Sequence, residues 1–185
     1  MRTQRPGQSA LLLLDAVEIL QRESLDYAVI GAFALSAHGV VRASTAVDAL
    51  LFTTPQRLVK LSTHFDRAGF AIKLRRGDAD DPIPAMLVVR DGYNNQVDLL
   101  GGLRGMDPAT FSRTVEVPFM GVNLHIVGRE DFIAMKCFAG GTQDILDAQS
   151  AYHSAQAPID LDLLRAVTRR FGRGAADNLE QVLTR

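Results

Sequence analysis

Hydrophobic positions along this chain follow two spacings, a period near 3.6 and a period of two, separated by glycine, proline and capping residues. Leu11 to Leu14 is followed by Asp15, Glu18 and Arg22 within three turns, which predicts an amphipathic helix over 8–23. Residues 27–31 form a short run of β-formers, and 32–38 has helical composition that ends at Gly39, where a left-handed residue is wanted. A second strand is predicted over 46–52. Thr54 then caps a helix whose first residue is Pro55 and which stops at Gly69. Strands at 70–74 and 85–89 flank an acidic loop, 77–84, and 95–100 is a further strand. Asp107 and Pro108 open a helix of one or two turns, and 114–119 with 122–127 flank Met120–Gly121 as a hairpin. From Arg129 onward the pattern is helical over 130–139, 142–155, 160–171 with Gly172 as stop, and 174–183.

This order predicts an α/β (α+β) protein with a mixed sheet flanked by helices. An α/β domain over 1–128 would carry a C-terminal helical segment, 129–185, packed on it. At 185 residues and 47% hydrophobic, the chain builds one full core and no second catalytic domain. A net charge of −1 gives no general pull toward nucleic acid. Two local basic clusters stand out: Lys73, Arg75 and Arg76, and Arg165, Arg169, Arg170 and Arg173. The second has helical spacing and reads either as a solvated helix face or as a contact for RNA phosphates.

The single cysteine, Cys137, rules out an internal disulfide framework and lies in an apolar helix, so burial is expected. His64, His125 and His153 are scattered and fall in no metal motif. The charges that follow Leu14 exclude a signal peptide or membrane span there, and a soluble, cytoplasmic protein is expected.

The candidate chemistry sits around the first two strands. A helix starting just after a glycine turn directs free N–H groups at Gly31 and Ala32 toward whatever lies above the strand end, which suits a phosphate; many such glycines serve the backbone alone. Because strand side chains alternate, Ala46 and Asp48 share one face, and a neighbouring strand would bring Asp98 to about 5 Å from Asp48. Two converging carboxylates beside a glycine turn suit Mg²⁺, which is held by one or two carboxylates plus substrate phosphates. The other reading makes both aspartates solvated strand-end residues. In the loop, Asp78, Asp80 and Asp81 are either a further acidic contribution or a solvated turn.

The segment GAFALSAHGVVRASTAVDALL resembles the signature of the nucleotidyltransferase superfamily, in the MNT and AbiEii-like branch, through Gly31, Ala34, His38, Gly39, Arg42 and Asp48, with Ser44 where Thr is usual. VDLLGG is similar to the block bearing that family's third carboxylate, at Asp98. GREDFIAMKCFAGGTQDILDAQ is similar to its following helical segment, with Glu130, Asp131, Lys136, Ala139, Asp144 and Asp147 in matching places. The three blocks come in the family's order across residues 27–149.

The resemblance implies a nucleotidyltransferase-like mixed sheet and a reaction in which a nucleoside triphosphate with Mg²⁺ donates a nucleoside monophosphate to a hydroxyl. It makes Asp48 and Asp98 catalytic and metal-binding residues. Gly31, Ala32, Arg42 and Lys136 become nucleotide or phosphate contacts, and His38, Asp144 and Asp147 structural support. Arg42 reaches phosphate or pairs with an aspartate. Lys136 touches the triphosphate or lies along the surface as a snorkelling lysine. Asp144 and Asp147, three apart on one helix face, pair with Lys136 or cap their helix.

Two departures matter. Ala46 stands at the first Asp of the family's D-x-D pair and has no ligand atom, and Ala32 stands at the second residue of its glycine turn. Two functions from different classes follow. One is a nucleotidyltransferase acting on an RNA, a protein or a small molecule, including the toxin of a toxin–antitoxin pair with an antitoxin partner. The other is a pseudoenzyme that binds a nucleotide or a partner.

Overall fold

The computed structural model describes residues 1–40, 46–154 and 158–184. Its elements are α1 (Ser9–Arg22), β1 (Tyr27–Ile30), α2 (Gly31–Ala37), β2 (Ala46–Leu51), α3 (Pro55–Arg67), β3 (Ala71–Arg76), β4 (Ala85–Arg90) and β5 (Gln96–Leu100). A 3₁₀ helix (Pro108–Arg113) then leads to β6 (Val115–Phe119), β7 (Val122–Ile126), α4 (Arg129–Ala139), α5 (Thr142–Tyr152), α6 (Leu161–Arg170) and α7 (Arg173–Leu183).

Seven strands form one mixed sheet in the order β3-β4-β5-β2-β1-β7-β6. The pairs β2–β5 and β1–β7 are parallel, and the other neighbours are antiparallel. The helices flank this sheet, which makes the chain the α/β protein with a mixed sheet that the element order predicts. Among the described residues, no helix is long and apolar enough to cross a membrane.

Local signals explain most boundaries. Thr54 Oγ1 accepts from the Arg57 N–H at 3.2 Å, and Pro55 occupies the first turn of α3, where its missing N–H costs nothing. Leu58, Leu61 and Phe65, spaced on one face of α3, are buried. Asp107 caps the 3₁₀ helix by accepting from the Ala109 N–H. Met120 and Gly121 both have positive φ, 49° and 82°, so their twist matches the β6–β7 hairpin they close.

Most bounds fall within a residue or two of the sequence reading, and four places show what sets them. Gly31 opens α2 instead of ending β1, with φ of +67°. The third strand runs on to Arg76 because β4 pairs with it as far as Arg76–Ala85. The helix read as 142–155 ends at Tyr152, and the turn at Asp107–Pro108 is 3₁₀.

One hydrophobic core joins the sheet to the C-terminal helices. Leu12, Leu13, Val29, Leu51 and Leu99 belong to the same buried cluster as Phe132, Cys137, Ala148, Leu164 and Leu179. Burial pushes the Cys137 thiol up to about 12, so it acts as a small apolar side chain. The basic residues of β3 lie on an edge strand and are exposed, the arrangement that keeps an edge from pairing with another chain. In the other basic cluster, Arg165 faces Glu180 and Arg173 faces Asp177, as on a solvated helix face.

Candidate active site

The site is built at the point where parallel β2 and β5 lie side by side. Asp48 and Asp98 are direct register partners across this pair, and Ala46 is partnered with Gln96 on the same face. On the other side of β2, Ile30 pairs with Asp48 just before the chain turns at Gly31. The Asp48 carboxylate lies over Gly31, so that a Cβ there would collide with its Oδ2. Gly31 is therefore required twice, once for its positive φ and once for the seat it gives Asp48.

Burial, then the facing charge of Asp98, raises the Asp48 carboxyl from its ordinary value to about 6, while Lys136 acts in the opposite sense. Among the described residues, no side chain donates a hydrogen bond to Asp48. Asp98 is held differently. The Gln96 amide donates to Asp98 Oδ1 at 2.8 Å, and its carbonyl oxygen accepts from Arg90 Nε at 2.8 Å. Gln96 thus occupies the ground beside Ala46. The sequence did carry a signal for it, since it stands two residues before Asp98 on the same strand face.

Lys136 reaches the site from α4. Its Nζ lies 2.7 Å from Asp144 Oδ1 and 2.9 Å from Asp147 Oδ2, both on α5, and 5.8 Å from the Phe132 ring centroid. Its side chain is only 14% exposed, which excludes the snorkelling surface lysine. Of the two roles open for Asp144 and Asp147, the structure displays the pairing with Lys136. Gln143 also donates to Asp147.

His38 is buried at the end of α2, with Nε2 donating to the Val127 carbonyl at 2.9 Å, so it ties α2 to the end of β7. Ala32 is buried in the first turn of α2. Arg42 lies outside the described residues, as does Ser44.

Other residues named from the sequence sit elsewhere. Glu130 accepts from the Asp160 N–H, and Asp131 belongs to a buried knot with Arg113 and Thr110. Two of the loop aspartates are spent on their own turn: Asp78 accepts from the N–H groups of Asp80 and Asp81, and Asp81 from that of Ile83, while Asp80 is exposed.

Beside Asp48 opens a cavity of about 270 Å³, reached by Gly31, Lys136 and Asp144 and otherwise walled by apolar side chains. The two carboxylates fit a single Mg²⁺ better than a pair. They face each other across adjacent strands, one of them short of compensating charge, which is the donor set one such ion takes together with phosphate oxygens. Among the described residues no cluster of three carboxylate, histidine or cysteine groups suited to a metal is found.

The sequence matches no protein-family model and no curated protein sequence. Solved structures resemble the fold. The solution structure of the antibiotic-resistance factor ANT(2'')-Ia aligns with a TM-score of 0.62 at 14% identity, over 96% of this chain and 97% of that one. Its crystal structure in complex with adenylyl-2''-tobramycin gives 0.61 at 14% identity, over 89% and 96%. The lincosamide antibiotic adenylyltransferase LnuA, with lincomycin bound, gives 0.52 at 11% identity, over 83% and 100%.

Proposed function

We propose that this chain is a nucleotidyltransferase that moves a nucleoside monophosphate from a magnesium-bound nucleoside triphosphate to a hydroxyl of a small molecule. The observation that carries the reading is the direct pairing of Asp48 and Asp98 across β2 and β5, with Asp48 seated on Gly31. The nucleotidyltransferase-like fold supports it, as do the antibiotic acceptors of the similar structures.

In this reading the acceptor oxygen attacks the α-phosphorus, the bond from that phosphorus to the bridging oxygen breaks, and pyrophosphate leaves. Asp98 takes the hydroxyl proton, its carboxylate turned toward the reacting face by the Gln96 amide. Asp48 and Asp98 would hold the Mg²⁺, which supplies, when bound, neutralising charge for the phosphates. Lys136 contributes a positive charge at the edge of the same site and orients the triphosphate, while Asp144 and Asp147 fix its ammonium. Gly31 and Ala32 let backbone N–H groups approach phosphate oxygens.

Ala46 favours a second reading, in which the site still binds nucleotide but turns over slowly or not at all. Loss of the family's first carboxylate lowers the rate by about 10²–10⁴-fold, the range of a positioned acid–base group.

Calorimetric titration of the protein and of Ala46→Asp with each nucleoside triphosphate, with and without Mg²⁺, tests both readings. Mg²⁺-dependent binding by the unaltered protein is expected. Binding only after Ala46→Asp would mark a disabled transferase. Silence from both would defeat the donor-site reading.

A further inference from the structure

We infer that the acceptor is an uncharged hydroxyl compound with an apolar body, seated in the chamber beside Asp48; this rests on the transferase reading and adds its substrate class. The chamber is assembled from separate parts of the chain. Phe132, Met135, Lys136 and Ala139 fall at i, i+3, i+4 and i+7, one face of α4, and all four line it. Pro82 and Ile83 come from the loop between β3 and β4, and Leu103 from the segment after β5. Ile30, the register partner of Asp48, completes the wall at the reacting end.

Charge in the chamber is almost entirely spoken for. Lys136 is paired with Asp144 at 2.7 Å and with Asp147 at 2.9 Å, and its charge is the one assigned to the triphosphate. Asp48 belongs to the reacting end. A polyamine acceptor needs several carboxylates free to meet its ammonium groups. Among the described residues lining this chamber, Asp48 and Asp144 are the carboxylates, and Asp144 is already paired.

A volume of about 270 Å³ holds roughly nine waters at their liquid density. Against Ile83, Leu103 and Met135 those waters find few partners, so an apolar group gains by displacing them. A nucleobase seated there would leave its polar edge facing the same apolar walls, which favours the acceptor as the occupant.

The probes are 2-(2-naphthyl)ethanol, a neutral apolar alcohol followed by its fluorescence, and the polyamino sugar tobramycin. Each is titrated into the protein saturated with the Mg²⁺-nucleotide that calorimetry selects, and into the nucleotide-free protein. The naphthyl alcohol is expected to bind at least tenfold more tightly than tobramycin. Leu103→Asp, which puts a carboxylate in the wall, should weaken the alcohol at least tenfold, while Leu103→Met, of similar volume, should retain it. Thermal unfolding of both variants checks that the fold is kept.

Tighter binding of tobramycin would overturn the proposed class. Displacement of the nucleotide by the alcohol would overturn the acceptor assignment and make the chamber the seat of the base. Absence of nucleotide binding defeats the transferase reading on its own, and alcohol binding to the nucleotide-free protein still decides whether the chamber takes apolar or cationic compounds.

Discussion

The knot at the start of α4 and the carboxylate pair of β2 and β5 bury charge in opposite ways. Asp131, nearly inaccessible, accepts from Arg113 Nε at 2.8 Å, from Arg113 Nη2 at 2.7 Å and from Thr110 Oγ1 at 2.8 Å. Asp107 takes a further Arg113 nitrogen at 3.0 Å. The hydrogen bond to Asp131 is the main reason that the guanidinium holds its proton more firmly than usual. Asp48 has instead a second carboxylate in front of it and a pKa pushed up to about 6. A cluster that holds structure together answers each charge from within the chain, whereas Asp48 is faced by a like charge, the arrangement the proposed metal site would use.

The largest effect should come from breaking the satisfied cluster. Arg113→Met strips Asp131 of its partner and should cost about 3–5 kcal/mol, read as a lower urea midpoint with an unchanged slope.

Removing the charge of Asp48 should do the reverse. Its carboxyl is raised to about 6 in the folded chain and returns toward 3.8 on unfolding, so the folded state holds the extra proton between those values. Folding is therefore favoured below the lower value, and that advantage is lost as pH rises through the upper one. Asp48→Asn should raise metal-free stability by about 2 kcal/mol at pH 7.5, by less at pH 5 and by almost nothing near pH 3.5. Thermal unfolding at the three pH values checks this, and a gain that does not grow with pH would contradict it.

Gly31→Ala strains a backbone at φ +67° and pushes on the Asp48 carboxylate. A loss of about 1–2 kcal/mol in thermal stability is expected, together with weaker Mg²⁺-nucleotide binding by calorimetry.

Ala46→Asp should have the smallest effect on stability. It adds a third acid beside Gln96 and lowers metal-free stability by about 1 kcal/mol, a loss that thermal scans should show shrinking when Mg²⁺ is added.

Much of this arrangement was legible in local sequence. Thr54, Pro55, Asp107 and the Met120–Gly121 turn announce their elements because capping and turn chemistry act over three or four residues. Strand alternation put Asp48 on a definite face, and a single neighbour relation was enough to bring Asp98 to it.

Features set by distant partners were not legible. β3 is extended to Arg76 by its pairing with β4, which no propensity of Arg75 or Arg76 encodes. Lys136 remained open between a phosphate contact and a surface lysine, because the α4–α5 packing decides its partners. The sequence pointed to Gly31 as a turn, but its service as a seat for Asp48 needs β1 and β2 already paired. The apolar chamber joins a loop, a strand end and a helix face, each of which reads as ordinary core or turn.

The parallel pairing of β2 with β5 also sets a schedule for biosynthesis. The segment between them forms α3, β3 and β4, so a chain emerging from the ribosome has Asp48 exposed well before Asp98 exists to face it. At about 5–20 residues per second, the 50 residues added from position 49 to Asp98 take several seconds, and Lys136 follows later still. A chain arrested anywhere before β5 carries half of a carboxylate pair and an unfinished chamber, so under the proposed reading the donor site is completed only late in synthesis.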